Sequence, residues 1–313
     1  MCKRPDRRRQ DSVNGVISIH KPKGPTSHDV VAALRRLAHT RRIGHAGTLD
    51  PMAEGVLVCC IGPATRIVPW LIGLPKEYTG EMVLGASSNT YDAEGEIVAG
   101  ADPRGVTREE IEEAFRSQTG MIEQLAPPFS AVKVRGRKLY EYARNGEKVP
   151  ERKRTVWIER FEVVRYFPPR VFFLARVGSG AYIRAMAHAA GQALGCGAYL
   201  ASLCRTRVGG FLLENSVTLE ALQADPDEAL PSSMLTLAEA LSHLPKAVLL
   251  PAAEARVLRG HPFRIEDVLE AEQILPVGQP VLVCSAAGEA LAVARADTAD
   301  APFQPIRVLH TGS

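Results

Sequence analysis

The pattern of apolar and polar positions divides the chain into a long first part of mixed strands and helices and a shorter last part of brief strands. Val16, Ile17 and Ile19 predict a short strand over residues 14–20, cut off by the Pro22-Lys23-Gly24-Pro25 cluster. Thr26 with Asp29 three positions on predicts a helix start, and Val30, Val31, Leu34 and Leu37 continue it at helical spacing. Glycines 44, 47 and 55 predict a long irregular loop, followed by a continuous apolar strand at 56–61. Further strands are expected at 77–84, 94–98 and 171–177. A second capping pair, Thr107 and Glu110, predicts a helix that Gly120 closes, and another helix is expected over 181–194. An acidic, Leu/Ala-rich helical stretch (218–244) then leads to short strands at 280–284, 291–294 and 306–310. Strands and helices mix without strict βαβ alternation, which predicts an α+β fold.

Composition narrows this. With 313 residues, 46% hydrophobic and 23% charged, the chain has ordinary globular make-up. A prior of ~150 residues per domain suggests two. The expected organisation is a disordered basic tail (1–12), a main domain (13–213), a helical connector (214–245) and a small β-rich domain (246–313). No apolar run approaches the ~18–20 residues of a membrane span. The tail carries Lys3, Arg4, Arg7, Arg8 and Arg9 and no apolar stretch of a secretory signal, which points to the cytoplasm. Six cysteines (2, 59, 60, 196, 204, 284) form no Cys-x-x-Cys pair and read as thiols in a reducing compartment.

Net charge is +3, but it is unevenly spread. Residues 133–213 hold 16 Lys/Arg against 5 Asp/Glu, whereas residues 214–313 hold 6 against 14. Concentrated basic surface is the footprint of a polyanion partner. A solvated face balanced by acidic neighbours is the alternative reading.

The densest candidate for chemistry is Arg42-Ile43-Gly44-His45-Ala46-Gly47-Thr48-Leu49-Asp50-Pro51. Its glycines permit backbone geometries closed to other residues. Asp50 precedes a proline and is therefore pushed towards an extended conformation. A metal site is not expected, because His45 and Asp50 lack a third ligand at suitable spacing. Nor is a phosphate cradle, because no Gly-Lys-Ser/Thr follows. A glycine-rich turn whose Asp bonds its own backbone is the alternative.

Gly44 to Pro51, with Lys21-Pro22-Lys23-Gly24 and Thr26-Ser27-His28-Asp29 upstream, closely resembles the N-terminal motifs of the TruB family of tRNA pseudouridine synthases. Further similarity follows in family order: Lys76-Glu77-Tyr78, Thr90 to Gly95, Pro127-Pro128, Ser130 to Lys133, Leu139 to Arg144, Gly180 to Arg184, and Leu203 to Gly209. Ser87-Ser88 depart from the threonine-type residues expected there. The likeness covers about residues 13–213. Residues 214–313 match loosely and look like the family's small RNA-binding PUA domain.

The resemblance implies a mixed, largely antiparallel sheet in the main domain and isomerisation of the T-loop uridine-55 of tRNA to pseudouridine by base flipping. It assigns Asp50 as the catalytic carboxylate, Arg184 as the partner that keeps it ionised, and Tyr78 as a stacking platform. His45 would fill the space that extruded bases vacate. Leu203 would close the apolar side of the pocket, and Tyr182 and Thr48 are further candidates for contact with the RNA. Lys21 and the basic limb that begins at Lys133 would grip phosphates. No cofactor or metal is implied, the partner is the tRNA T-arm, and a monomer is expected. Two rivals are a guide-RNA-dependent synthase subunit and a non-catalytic RNA-binding protein. The short acidic C-terminus speaks against the first, and the presence of Asp50, Tyr78 and Arg184 against the second.

Overall fold

A computed structural model describes residues 13–130, 132–271 and 274–309. The larger sheet contains, in chain order, β1 (Gly15–Lys21), β2 (Ala53–Ile61), β3 (Lys76–Leu84), β4 (Gly120–Leu125), β5 (Lys153–Phe167), β6 (Arg170–Val177), β7 (Ala198–Val208) and β8 (Val217–Thr218). They lie side by side in the order β8-β1-β2-β7-β3-β6-β5-β4. Two pairings, β1 with β8 and β2 with β7, are parallel, and the rest of this path is antiparallel. A second sheet holds β9 (Lys246–Leu249), β10 (Val268–Ala271), β11 (Val281–Cys284), β12 (Ala290–Arg295) and β13 (Gln304–Val308). Its order is β10-β9-β11-β12-β13. The α+β class, the largely antiparallel sheet and the β-rich C-terminal part are as expected.

Four helices matter for the site: α1 (Ser27–Leu37), α2 (Arg108–Arg116), α3 (Leu139–Arg144) and α4 (Ile183–Ala193). Both sequence-read capping boxes are formed. The Thr26 and Thr107 hydroxyls accept from the N–H of Asp29 and Glu110, and those carboxylates accept from the threonine N–H in return. Helix α1 lays Val30, Val31 and Leu34 against Ile17, Ile19, Leu57 and Cys59. The opposite face of β1 and β2, with Val16, Val56, Val58 and Cys60, joins a cluster that reaches Leu282, Cys284 and Val293 of the second sheet and Leu309 just after it. Coverage on both faces explains why β2 is continuously apolar rather than alternating. Helices α2 and α4 cover β3, β5 and β6 through Ile111, Phe115, Met186 and Ala190. Phe115 stacks on Phe161 at 3.6 Å between centroids, and Phe173 meets both edge-on.

Several expectations shift. The glycine loop is partly strand, since Ile43–His45 pairs with the end of β2. The 94–98 strand shrinks to Ile97–Ala99. Strands β4, β5 and β7 carry no alternation clear enough to predict: β5 starts inside the basic Pro/Gly-punctuated stretch, and β7 buries a charged residue, Arg205. The acidic stretch breaks into short helices, with Met234–Leu235 pairing to β1. The basic tail 1–12 and His310 lie outside the described residues. No helix among the described residues is long and apolar enough to cross a membrane.

Candidate active site

The loop between Ile43–His45 and β2 carries Asp50, and the N-terminal motifs explain how it is held. Ser27 Oγ donates to the Leu49 carbonyl (3.0 Å) and accepts from the Leu49 N–H (2.8 Å). The Gly24 N–H donates to the Pro51 carbonyl at 2.8 Å. Lys21 Nζ donates to the carbonyls of Ala53 (2.6 Å), Pro22 (2.9 Å) and Pro51 (3.4 Å). From β7, Arg205 reaches across: Nε donates to Val56 (2.7 Å), Nη2 to Gly47 (3.0 Å) and Nη1 to Thr48 (3.4 Å). The loop's carbonyls are therefore tied from both sides, and Asp50 projects from a fixed backbone.

Lys21 is a correction. It is fully buried and faces carbonyls rather than solvent, so it does not grip phosphate but braces the Asp50 loop. Burial lowers its pKa, and Asp50 acts in the opposite direction. A lysine with three carbonyl acceptors looks like any surface lysine in a sequence.

Asp50 meets Arg184, the second residue of α4. Arg184 Nε lies 2.8 Å from Asp50 Oδ2, an ion-pair contact in which the N–H aims off the oxygen. Nη2 donates to Asp50 Oδ1 (3.4 Å) and the Phe129 carbonyl (3.3 Å), while Nη1 donates to Asp92 Oδ2 (3.0 Å) and the Thr90 carbonyl (2.9 Å). The guanidinium bridges two carboxylates of unlike exposure. The Asp92 side chain is 3% exposed and that of Asp50 36%, so Asp92 anchors the arginine and Asp50 faces the opening. Asp92 is itself fixed by the Thr90 hydroxyl, which donates to Oδ1 at 2.6 Å. Gln124 of β4 clamps the start of α4 through both the N–H (2.7 Å) and the carbonyl (3.1 Å) of Tyr182.

These groups open onto a cleft of about 580 Å³. Thr48, Asp50, Tyr78, Tyr182, Arg184 and Leu203 line it, so six of the nine sequence-read site residues converge. Tyr78 is 8% exposed and belongs to both the core and the cleft wall. His45 and Lys133 stand outside the lining. His45 is half-buried, and burial first, then the Arg205 charge, lowers its pKa. Lys133 is exposed in a two-residue strand paired with Arg137–Lys138. Sequence reasoning assigned no role to Asp92, Lys76, Arg205 or Phe129. Asp92, Lys76 and Arg205 sat inside matched motifs, which was the available signal. Among the described residues no cluster of three or more His, Cys, Asp or Glu could hold a metal.

A family model described as the N-terminal domain of the TruB family pseudouridylate synthase matches residues 35–183. One described as the tRNA pseudouridylate synthase B C-terminal domain matches residues 184–253. A curated relative from Syntrophotalea carbinolica, named tRNA pseudouridine synthase B, is 37% identical over 96% of this chain and 99% of its own. Another of that name, from Geobacillus thermodenitrificans, is 41% identical over 90% and 94%. A solved H/ACA RNP bound to a substrate RNA containing 2'-deoxyuridine contains a chain that superposes with a TM-score of 0.75 at 26% identity, covering 95% of this chain and 85% of that one. A chain of the archaeal box H/ACA sRNP Nop10-Cbf5 complex gives 0.74 at 27%, over 98% and 89%. The chain belongs to the TruB family of pseudouridylate synthases.

Proposed function

We propose that the protein works alone on tRNA, isomerising uridine-55 of the T-loop to pseudouridine. The observation that carries this is the half-open Asp50 carboxylate, held on a braced loop by an otherwise buried arginine. Pseudouridine formation breaks the N1–C1′ bond, turns the uracil and rejoins it through C5, with no redox change and no donor group. It needs an ionised carboxylate at the sugar, either to attack C1′ or to remove a sugar proton. Arg184 pairs with this carboxylate and fixes its orientation.

The target base must leave its stack, at a cost of a few kcal/mol. Tyr78 then supplies the face on which it lies, Leu203 the apolar wall, and Tyr182 and Thr48 the rim. His45, kept neutral by burial, fills space vacated in the RNA. Lys133 and the exposed basic limb hold phosphates of the T-arm without reading sequence. Residues 13–213 serve as the catalytic unit, 214–245 as its connector and 246–313 as a small PUA-like unit, in a cytoplasmic monomer.

The test is incubation of the purified protein with an unmodified tRNA transcript, followed by pseudouridine mapping. Conversion at uridine-55 alone supports the reading. Conversion that requires an added guide RNA and further proteins would replace it with the guide-dependent class.

A further inference from the structure

Lys76 lies in the cleft wall with no role in the chemistry above. It opens β3 two residues before Tyr78, and alternation along a strand puts both side chains on one face. Both line the cleft. Lys76 is 6% exposed, and its Nζ donates to the carbonyls of Ile72 (2.5 Å) and Leu74 (2.7 Å). An ammonium has three donors, so one remains.

Arg205 stands next to it and also meets only backbone carbonyls. The two cations converge on the bare Cα of Gly47. A Cβ built there would lie 3.7 Å from Arg205 Nη1 and 3.8 Å from Lys76 Cε. Among the described residues, neither cation forms an ion pair with a carboxylate. Burial, and secondarily the Arg205 charge, bring the Lys76 pKa down to about 8.

A buried cation without a counter-ion is costly, and two side by side repel each other. The arrangement is relieved when an anion enters the cleft. Residues two apart on a strand are roughly 6.8 Å apart, about the separation of a nucleobase from the phosphate of its own nucleotide. We propose that Lys76, backed by Arg205, binds a phosphodiester adjoining the nucleotide whose base lies on Tyr78. This rests on the reading of the cleft as the uridine pocket. It differs from the exposed basic limb, which meets phosphates on the outside of the RNA. The site accepts one phosphate, at a fixed position relative to the reacting sugar.

The experiment is a cycle between protein charge and RNA charge. T-arm stem-loops are made with an ordinary phosphodiester, or with a neutral methylphosphonate on the 5′ or the 3′ side of the target uridine. Affinity and single-turnover rate are measured with wild-type protein, Lys76→Gln and Lys76→Arg. For wild type, one of the two methylphosphonates should weaken binding roughly tenfold, the scale of a single charge-assisted hydrogen bond. Lys76→Gln should lose a similar factor on the native RNA and then be indifferent to that methylphosphonate. Lys76→Arg should restore both the affinity and the sensitivity. If Lys76→Gln keeps the full wild-type sensitivity, or if neither methylphosphonate weakens wild-type binding, the proposal is overturned. The second outcome needs no variant, so a folding defect in Lys76→Gln does not protect the idea. Failure of wild type to convert the native stem-loop at all would instead overturn the uridine-pocket reading.

Discussion

Both terminal nitrogens of Arg184 already donate to protein acceptors, Asp50, Asp92 and the carbonyls of Thr90 and Phe129, and Nε is buried against Asp50. That leaves it poorly placed as a general RNA contact and well placed to orient Asp50. Arg184→Lys should retain the charge but lose the planar fork, so single-turnover rate should fall at least about a hundredfold while tRNA affinity stays within a few-fold, since charge-assisted bonds contribute ~1.5–3 kcal/mol each. Near-normal turnover in that variant would remove the orienting role. Asp92→Ala should lower stability by ~1–3 kcal/mol in denaturant unfolding, because Arg184 then keeps only one carboxylate. At this scale Asp50, Tyr78 and Arg184 were legible through their motifs. Asp92, Arg205 and the true place of Lys21 were not, because burial of a charge depends on carbonyls contributed by distant parts of the chain.

The site is assembled where β2 and β7 run parallel, in the register Leu203↔Ala53 and Arg205↔Gly55. Gly55 sits at φ +110°, and a Cβ on it would lie 2.2 Å from the Arg205 carbonyl oxygen. Gly55→Ala should therefore cost at least ~2 kcal/mol by denaturant melting, since left-handed strain alone is of order 1–3 kcal/mol. It should also slow turnover, because β7 must shift and Arg205 with it. A melting midpoint equal to wild type would show that the two strands are not locked in this way. Helices α1 and α2 were readable from their capping boxes, which are local signals. β7 was not, because its burial depends on two strands more than a hundred residues away in sequence. The long β5 was hidden for a different reason: its start is basic, and exposed Trp157, Val164 and Phe167 blur the alternation along it.

Charge is segregated over the whole molecule, with the basic stretch beside the cleft and the acidic one in the second sheet and its approach. Arg137 of the basic limb is paired with Glu147, whereas Lys133, Arg135, Lys148 and Arg152 are exposed. Replacing those four by Gln should reduce the log–log salt slope of tRNA binding by roughly 0.7–0.9 for each phosphate no longer neutralised, without changing the modified position. An unchanged slope would place the grip elsewhere. The second sheet shares Leu282, Cys284 and Val293 with the cluster under β1 and β2, so its deletion would bare apolar surface, and charge substitution is the cleaner probe. The most direct test of the whole account is Asp50→Asn, which removes the charge and keeps the volume. Its single-turnover rate on unmodified tRNA should fall to background, with tRNA affinity and melting behaviour close to wild type. A rate within about tenfold of wild type would contradict Asp50 as the catalytic carboxylate, because loss of a nucleophile or base slows an enzyme by far more.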